Sequence, residues 1–230
     1  MRRLNNCLEN KKYTNVPIWF MRQAGRYLKE FQEIRKKNPD FISLCLNEKL
    51  VNEISQQPIK RFDLDAIILF SDILIIPYGL GQKVSFKKDL GPTLGNLDLD
   101  LIIKINKTDF VKRVYPVYKS ISLLKNSMNY RRKSLIGFAG APWTLLLYMI
   151  HGQSPKSGFN KNKIFRDKYL LDRLILKLED FICLHIDKQI EAGANVIQLF
   201  DSWAGLLSKE ELLNYCYIPT LKIVNYIKKR

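Results

Sequence analysis

The segment PIWFMRQAGRY, Pro17 to Tyr27, sets Arg22 and Arg26 four residues apart among three large aromatics. On a helix the two would share a face, where like charges repel by about 0.2–0.5 kcal/mol. An anion held between the guanidinium groups would relieve that repulsion and use their planar, paired donors, which match a carboxylate. Two acids stand at other informative points. Asp72 follows the apolar run AIILF (66–70) through Ser71, and Asp201 follows NVIQLF (195–200), with Ser202 next. Each acid is either a site carboxylate or a helix N-cap.

The remaining chemistry-bearing residues read as structural. Cys7, Cys45, Cys183 and Cys216 are far apart and form no C-x-x-C pair, a pattern of ordinary thiols in a reducing compartment. Cys183 and His185 lie two apart inside a helical pattern, where they would not face each other. They therefore read as a buried small residue and a core-edge histidine, and no metal site is expected. Trp19, Phe20, Phe70 and Trp143 read as core or cleft wall. Gly25 either takes a positive φ or allows close packing of the arginine segment.

Three elements would position these groups. AIILF, SLIGFAG (134–140) and NVIQLF do not alternate, so each reads as a strand buried on both faces, as in a parallel α/β sheet; Pro17–Met21 is a possible fourth. Amphipathic helices are expected near 108–125, over about 166–190, and near 208–228 behind the capping pattern SKEE at Ser208. Residues 81–96 read as a hairpin or long loop. Every strand ends in small or polar residues: Ser71-Asp72, Ala141-Pro142-Trp143-Thr144, and Asp201-Ser202. Open α/β sheets and (β/α)-barrels both build their sites at that end. A closed barrel needs eight strands in roughly 250 residues, and about half of them are visible here.

Composition narrows the classes further. The 230 residues carry 38 Lys+Arg against 22 Asp+Glu, a formal charge of +16, but 26 of the basic residues are scattered lysines. That distribution reads as a solvated basic surface and not as the basic stripe of a nucleic-acid module. Such a field would still attract a polyanionic small molecule. No apolar run approaches the roughly 20 residues of a membrane-spanning helix, and the start lacks the apolar stretch of a signal peptide. The expectation is a cytosolic protein bound to neither nucleic acid nor membrane.

Taken in order, PIWFMRQAGRY, FSDILIIP with the downstream Gly91-Pro92, GFAGAPWTLLLYM and LFDSWAG resemble the motifs of the uroporphyrinogen decarboxylase family. The resemblance covers the chain from about Asn15 onward and matches the N-terminal two-thirds of the family. It implies a (β/α)8 barrel lacking its C-terminal strands, a single barrel-type domain over 1–230, and homodimers in full-length relatives. One departure is His151-Gly152, where the family tends to have Glu or Ala before the glycine. The family's functional histidine falls near its C-terminal end, and neither His151 nor His185 matches it.

The resemblance also implies a reaction: the four acetate side chains of uroporphyrinogen III become methyls, giving coproporphyrinogen III, with no cofactor. Asp72 is then the central carboxylate, facing the pyrrole N–H groups. Arg22 and Arg26 hold substrate carboxylates, and Tyr148 and Ser202 contact the substrate's side chains. Without the neighbouring motifs, Tyr148 would read as a core aromatic and Ser202 as a cap. Two rivals stay open: an inactive truncated remnant of that enzyme, and a corrinoid-linked methyltransferase, a distant relative on the same barrel that uses a zinc-thiolate site.

Overall fold

Short apolar runs become strands when neighbours cover both faces, because the ladder then satisfies every backbone group. The computed structural model describes residues 2–9, 15–25, 27–87, 90–127, 132–155 and 158–229. Strand β1 is Ala66–Ile68, followed by β2 (Val84–Lys87), β3 (Gly91–Leu94), β4 (Ser134–Gly140) and β5 (Val196–Phe200). β1, β4 and β5 form a three-stranded sheet in that order. β1 pairs parallel with β4, Ala66 opposite Ser134 and Ile68 opposite Ile136. β5 runs the same way as β4: Asn195 N donates to Leu135 O at 3.0 Å, and Ala141 N donates to Phe200 O at 2.8 Å. The 81–96 segment is the antiparallel hairpin β2–β3.

Parallel strands need crossover connections, and helices Lys107–Asn126 and Lys168–Ala192 precede β4 and β5. Both match the expected amphipathic segments. β4, central in the sheet, is buried at all seven positions, as expected, whereas β5 is half-buried throughout. Edge position alone does not explain the difference, since β1 also has a sheet neighbour on one side only and is buried at all three positions; β5 is less covered than a strand buried on both faces would be. Pro17–Met21 is not a fourth strand. Ile18 N donates to the Asp65 carboxylate at 2.8 Å, and Ile18 O accepts from Asp65 N at 2.8 Å, so one aspartate takes the place of a ladder.

The chain divides into two compact units. The first comprises Met1–Asp72, Val114–Phe138 and Lys188–Gln198. Its helices pack around Leu28, Phe31, Leu44 and Ile54. The fully buried Gln189 grips β4 with both amide atoms: Oε1 accepts from Phe138 N and Nε2 donates to Phe138 O, each at 2.9 Å. Gly137 makes this possible, because a Cβ there would sit 2.5 Å from Gln189 Oε1.

The second unit comprises Ile73–Arg113, Ala139–Asp187 and Leu199–Arg230. Trp143 is fully buried at its centre, stacked on Phe165 at 5.9 Å and met edge-on by Phe159 at 5.8 Å. The SKEE segment forms a full capping box between Ser208 and Glu211. The helix it starts is not continuous: Leu213–Tyr217 widens into a π turn before Ile218–Lys228. Pro219 supplies the reason, since it has no N–H for the Tyr215 carbonyl and its ring crowds that oxygen in an α-helix.

Candidate active site

In the first unit the arginine segment is a tethered loop and not a helix on which the two arginines would share a face. Residues 21–22 form a turn and the next helix begins only at Lys29. Gln23 holds the loop. It is buried, its Nε2 donates to Ala66 O of β1 at 3.1 Å, and its Oε1 accepts from Phe20 N at 3.0 Å. The Tyr27 hydroxyl closes the loop on the Gln23 carbonyl at 2.5 Å. Gly25 serves by close packing: a Cβ there would lie 2.9 Å from the Tyr27 ring. Arg22 is exposed on the turn; Arg26 lies outside the described residues.

Asp72 follows β1 and is half-buried. It is not a cap, because the next helix, Ile75–Gly79, starts from Leu74 without a side-chain bond. Its charge reaches the Cys45 thiol, which burial first and Asp72 second push well above its ordinary pKa, while Arg35 pulls the other way. Arg35 lies over the Phe41 ring at 5.5 Å and donates to Asn38 O at 2.5 Å. Phe41 in turn meets Phe70 edge-on at 5.7 Å. Phe70 is thus packed as expected. Phe20 is 60% exposed, however, and so is not a core residue, whereas Trp143 is fully buried in the core of the second unit.

In the second unit Tyr148 projects half-buried from helix Pro142–His151 and meets the Trp203 ring edge-on at 6.1 Å. Ser202, immediately before Trp203, is exposed on a turn. It is not a cap either, since the short helix Ala204–Leu206 starts from Trp203 without a side-chain bond. Asp201 is also no cap. Its carboxylate accepts from Thr144 Oγ1 at 2.6 Å and from the Cys216 thiol, whose pKa rises through burial and this negative neighbour. Trp203 N donates to Thr144 Oγ1 at 3.2 Å, and Trp143 Nε1 donates to Trp203 O at 3.1 Å.

The second unit therefore brings Tyr148 beside the turn that carries Ser202, while Arg22 and Asp72 belong to the first unit. Sequence reading missed Gln23, Thr144 and Trp203, whose roles rest on partners as much as 60 positions away, a range at which periodicity gives no signal. Their one visible sign was that each sits inside a motif already singled out. His185 is more deeply placed than a core-edge residue: it is buried, edge-on to Phe110 at 6.3 Å, with burial lowering its pKa to about 3. Cys183, expected buried, is half-exposed, its thiol pushed up to about 11 by burial and then by Asp187, Asp180 and Glu179. Among the described residues no group of three or more His, Cys, Asp or Glu side chains could hold a metal ion, and no helix is long and apolar enough to cross a membrane.

These features define an α/β protein with a parallel sheet and polar groups gathered after its strands. The sequence model of the uroporphyrinogen decarboxylase family matches residues 1–230. A uroporphyrinogen decarboxylase of Agrobacterium fabrum is 39% identical over all of this chain and 67% of its own length. One from Campylobacter jejuni is 41% identical over 94% of this chain and 64% of its own length. The chain belongs to the uroporphyrinogen decarboxylase family, and it spans about two-thirds of the length of these relatives. Its fold is similar to that of a methyltransferase from Methanosarcina mazei, with a TM-score of 0.74 over 97% of this chain and 66% of the other, at 17% identity.

Proposed function

We propose that the chain serves the cofactor-free decarboxylation of uroporphyrinogen III to coproporphyrinogen III. The observation that carries this reading is the family match over every residue of the chain, joined to relatives of about 40% identity that bear the enzyme's name. With it goes the finer architecture, a (β/α)8 barrel of which this chain holds the first part, and the homodimer expected of the family. The parallel order β1-β4-β5 with helical crossovers supports the barrel, as does the fold likeness to a longer chain.

Loss of CO2 from a pyrrole acetate needs an electron sink. A proton added to the adjacent ring carbon makes the pyrrole cationic. The electrons of the breaking C–C bond then flow into the ring, CO2 leaves, a second proton completes the methyl, and the first proton departs from the ring carbon to restore the aromatic pyrrole. Asp72 accepts from the pyrrole N–H groups and stabilises the cation as it forms. Arg22 and Arg26 pair with substrate carboxylates; a guanidinium with a pKa above about 12 suits charge placement better than proton donation. Tyr148 and Ser202 contact the remaining side chains. The half-buried setting of Asp72 and of Tyr148 supports these roles, since a carboxylate or phenol withdrawn from bulk water interacts more strongly with substrate.

Anaerobic incubation of residues 1–230 with uroporphyrinogen III, followed by oxidation and chromatographic separation of the porphyrins, tests the proposal. Products with seven to four carboxylates are expected, in the order of successive decarboxylation. Neither binding nor product, both from this chain and from one extended to the relatives' length, would overturn it and leave the inactive-remnant reading.

A further inference from the structure

We propose that Thr144 is the positioning residue of the Ser202 turn, a role that rests on the decarboxylase reading above. Its hydroxyl has no solvent exposure and makes two hydrogen bonds, donating to Asp201 Oδ1 at 2.6 Å and accepting from Trp203 N at 3.2 Å. Asp201 and Trp203 are the two neighbours of Ser202, so one hydroxyl grips the chain on both sides of that serine. The surroundings reinforce the grip. The Trp143 indole N–H holds Trp203 O at 3.1 Å, the Cys216 thiol gives Asp201 a second donor, and the Trp203 ring lies against Tyr148 at 6.1 Å.

Thr144 comes from the first turn of the helix that also carries Tyr148. The same helix thus presents Tyr148 directly and sets Ser202 through the clamp, which fixes the spacing of two substrate contacts within one unit. Asp201 takes part in this arrangement through Oδ1, the oxygen that accepts from Thr144.

The test compares Thr144→Val, which keeps the shape and removes both bonds, with Thr144→Ser, which keeps the hydroxyl. Each is made in the wild-type and Ser202→Ala backgrounds, with melting temperature measured throughout. Thr144→Val should lower kcat/KM about tenfold, equivalent to roughly 1.4 kcal/mol, and Thr144→Ser should restore it. In the Ser202→Ala background Thr144→Val should cost little more, because residues acting as a unit are not additive. An equal loss in both backgrounds, or no rescue by serine, overturns the proposal. If the wild-type chain neither binds nor converts the tetrapyrrole, the decarboxylase reading fails instead. Amide exchange at Ser202 and Trp203 then decides the clamp: faster exchange in Thr144→Val alone upholds it, and unchanged exchange overturns it.

Discussion

Gln23 and Ala66 are joined by a buried hydrogen bond of 3.1 Å that moors the arginine loop to the start of β1. The same amide accepts from Phe20 N, so one side chain satisfies a carbonyl and an N–H that would otherwise be stranded. Replacing Gln23 by Leu removes both partners at once. A buried polar group left without a partner costs about 1–3 kcal/mol, and Gln23→Leu should lower the unfolding free energy by about that much or more. Urea titration with unchanged slope is the measurement. A shift below the scatter of the method would mean that the loop is held by other contacts.

Asp72→Asn should damage chemistry more than binding in a protein that turns over. The amide keeps the shape and one acceptor but loses the charge, and the pyrrole is cationic only at and near the transition state. Removing one preorganised electrostatic group costs about 10²–10³ in kcat, so kcat should fall that far while KM changes little. Normal kcat with raised KM would reduce Asp72 to a binding residue.

Arg22→Ala should show the opposite balance, because substrate carboxylates are charged before reaction begins. KM should rise more than kcat falls. The penalty should also shrink in high salt, since Arg22 is exposed and its attraction is screened. Steady-state kinetics at two ionic strengths would show this, and a salt-independent loss of kcat alone would contradict it.

His185 makes the fold sensitive to acid. Burial lowers its pKa from 6.5 to about 3. Between those values the unfolded chain holds the proton and the folded chain does not. The stability of keeping His185 neutral is therefore fully present above about pH 6.5 and falls with pH, by at most about 1.4 kcal/mol per unit. His185→Phe, measured beside wild type by denaturant midpoints, should lose less stability from pH 7 to 4, with the difference between the two proteins constant above pH 7. Parallel curves throughout would show that His185 is not the titrating group.

Helix Ile218–Lys228 and the turn before it carry an apolar stripe: Tyr217 is 61% exposed, Ile218 41% and Leu221 59%. Surfaces of this kind drive association. The purified chain should self-associate as its concentration rises, and Tyr217→Glu with Leu221→Glu should shift it toward monomer without lowering its melting temperature. Light scattering after size exclusion would register both, and a wild-type chain that stays monomeric across the range would refute the expectation.

The strands were legible because AIILF, SLIGFAG and NVIQLF are local signals, and Ser134–Gly140 is buried throughout as its run declares; Val196–Phe200 is a strand but only half-buried, because its cover depends on distant parts of the chain. The capping box at Ser208 was legible for the same reason, being complete within four residues. The π turn after it was harder to foresee, because periodicity continues across it and only Pro219 marks the break. The arginine spacing alone did not show how the segment is held, since the Gln23–Ala66 bond that moors the loop spans 43 positions. Asp201 illustrates the deepest gap: its partner Thr144 is 57 positions away, and neither a cap nor a catalytic reading anticipates a clamp.

The Tyr27 ring lies where a Cβ on Gly25 would be, 2.9 Å from Cε1 and 3.1 Å from Cδ1. The two positions are therefore not free to vary separately. Alanine at 25 forces the ring aside and breaks the phenol's bond to the Gln23 carbonyl, whereas a small residue at 27 vacates the space. The two substitutions should be non-additive: Gly25→Ala harmful beside tyrosine and near neutral once the ring is gone. Descendants of this chain can then reach alanine at 25 only by a route that first gives up the aromatic at 27.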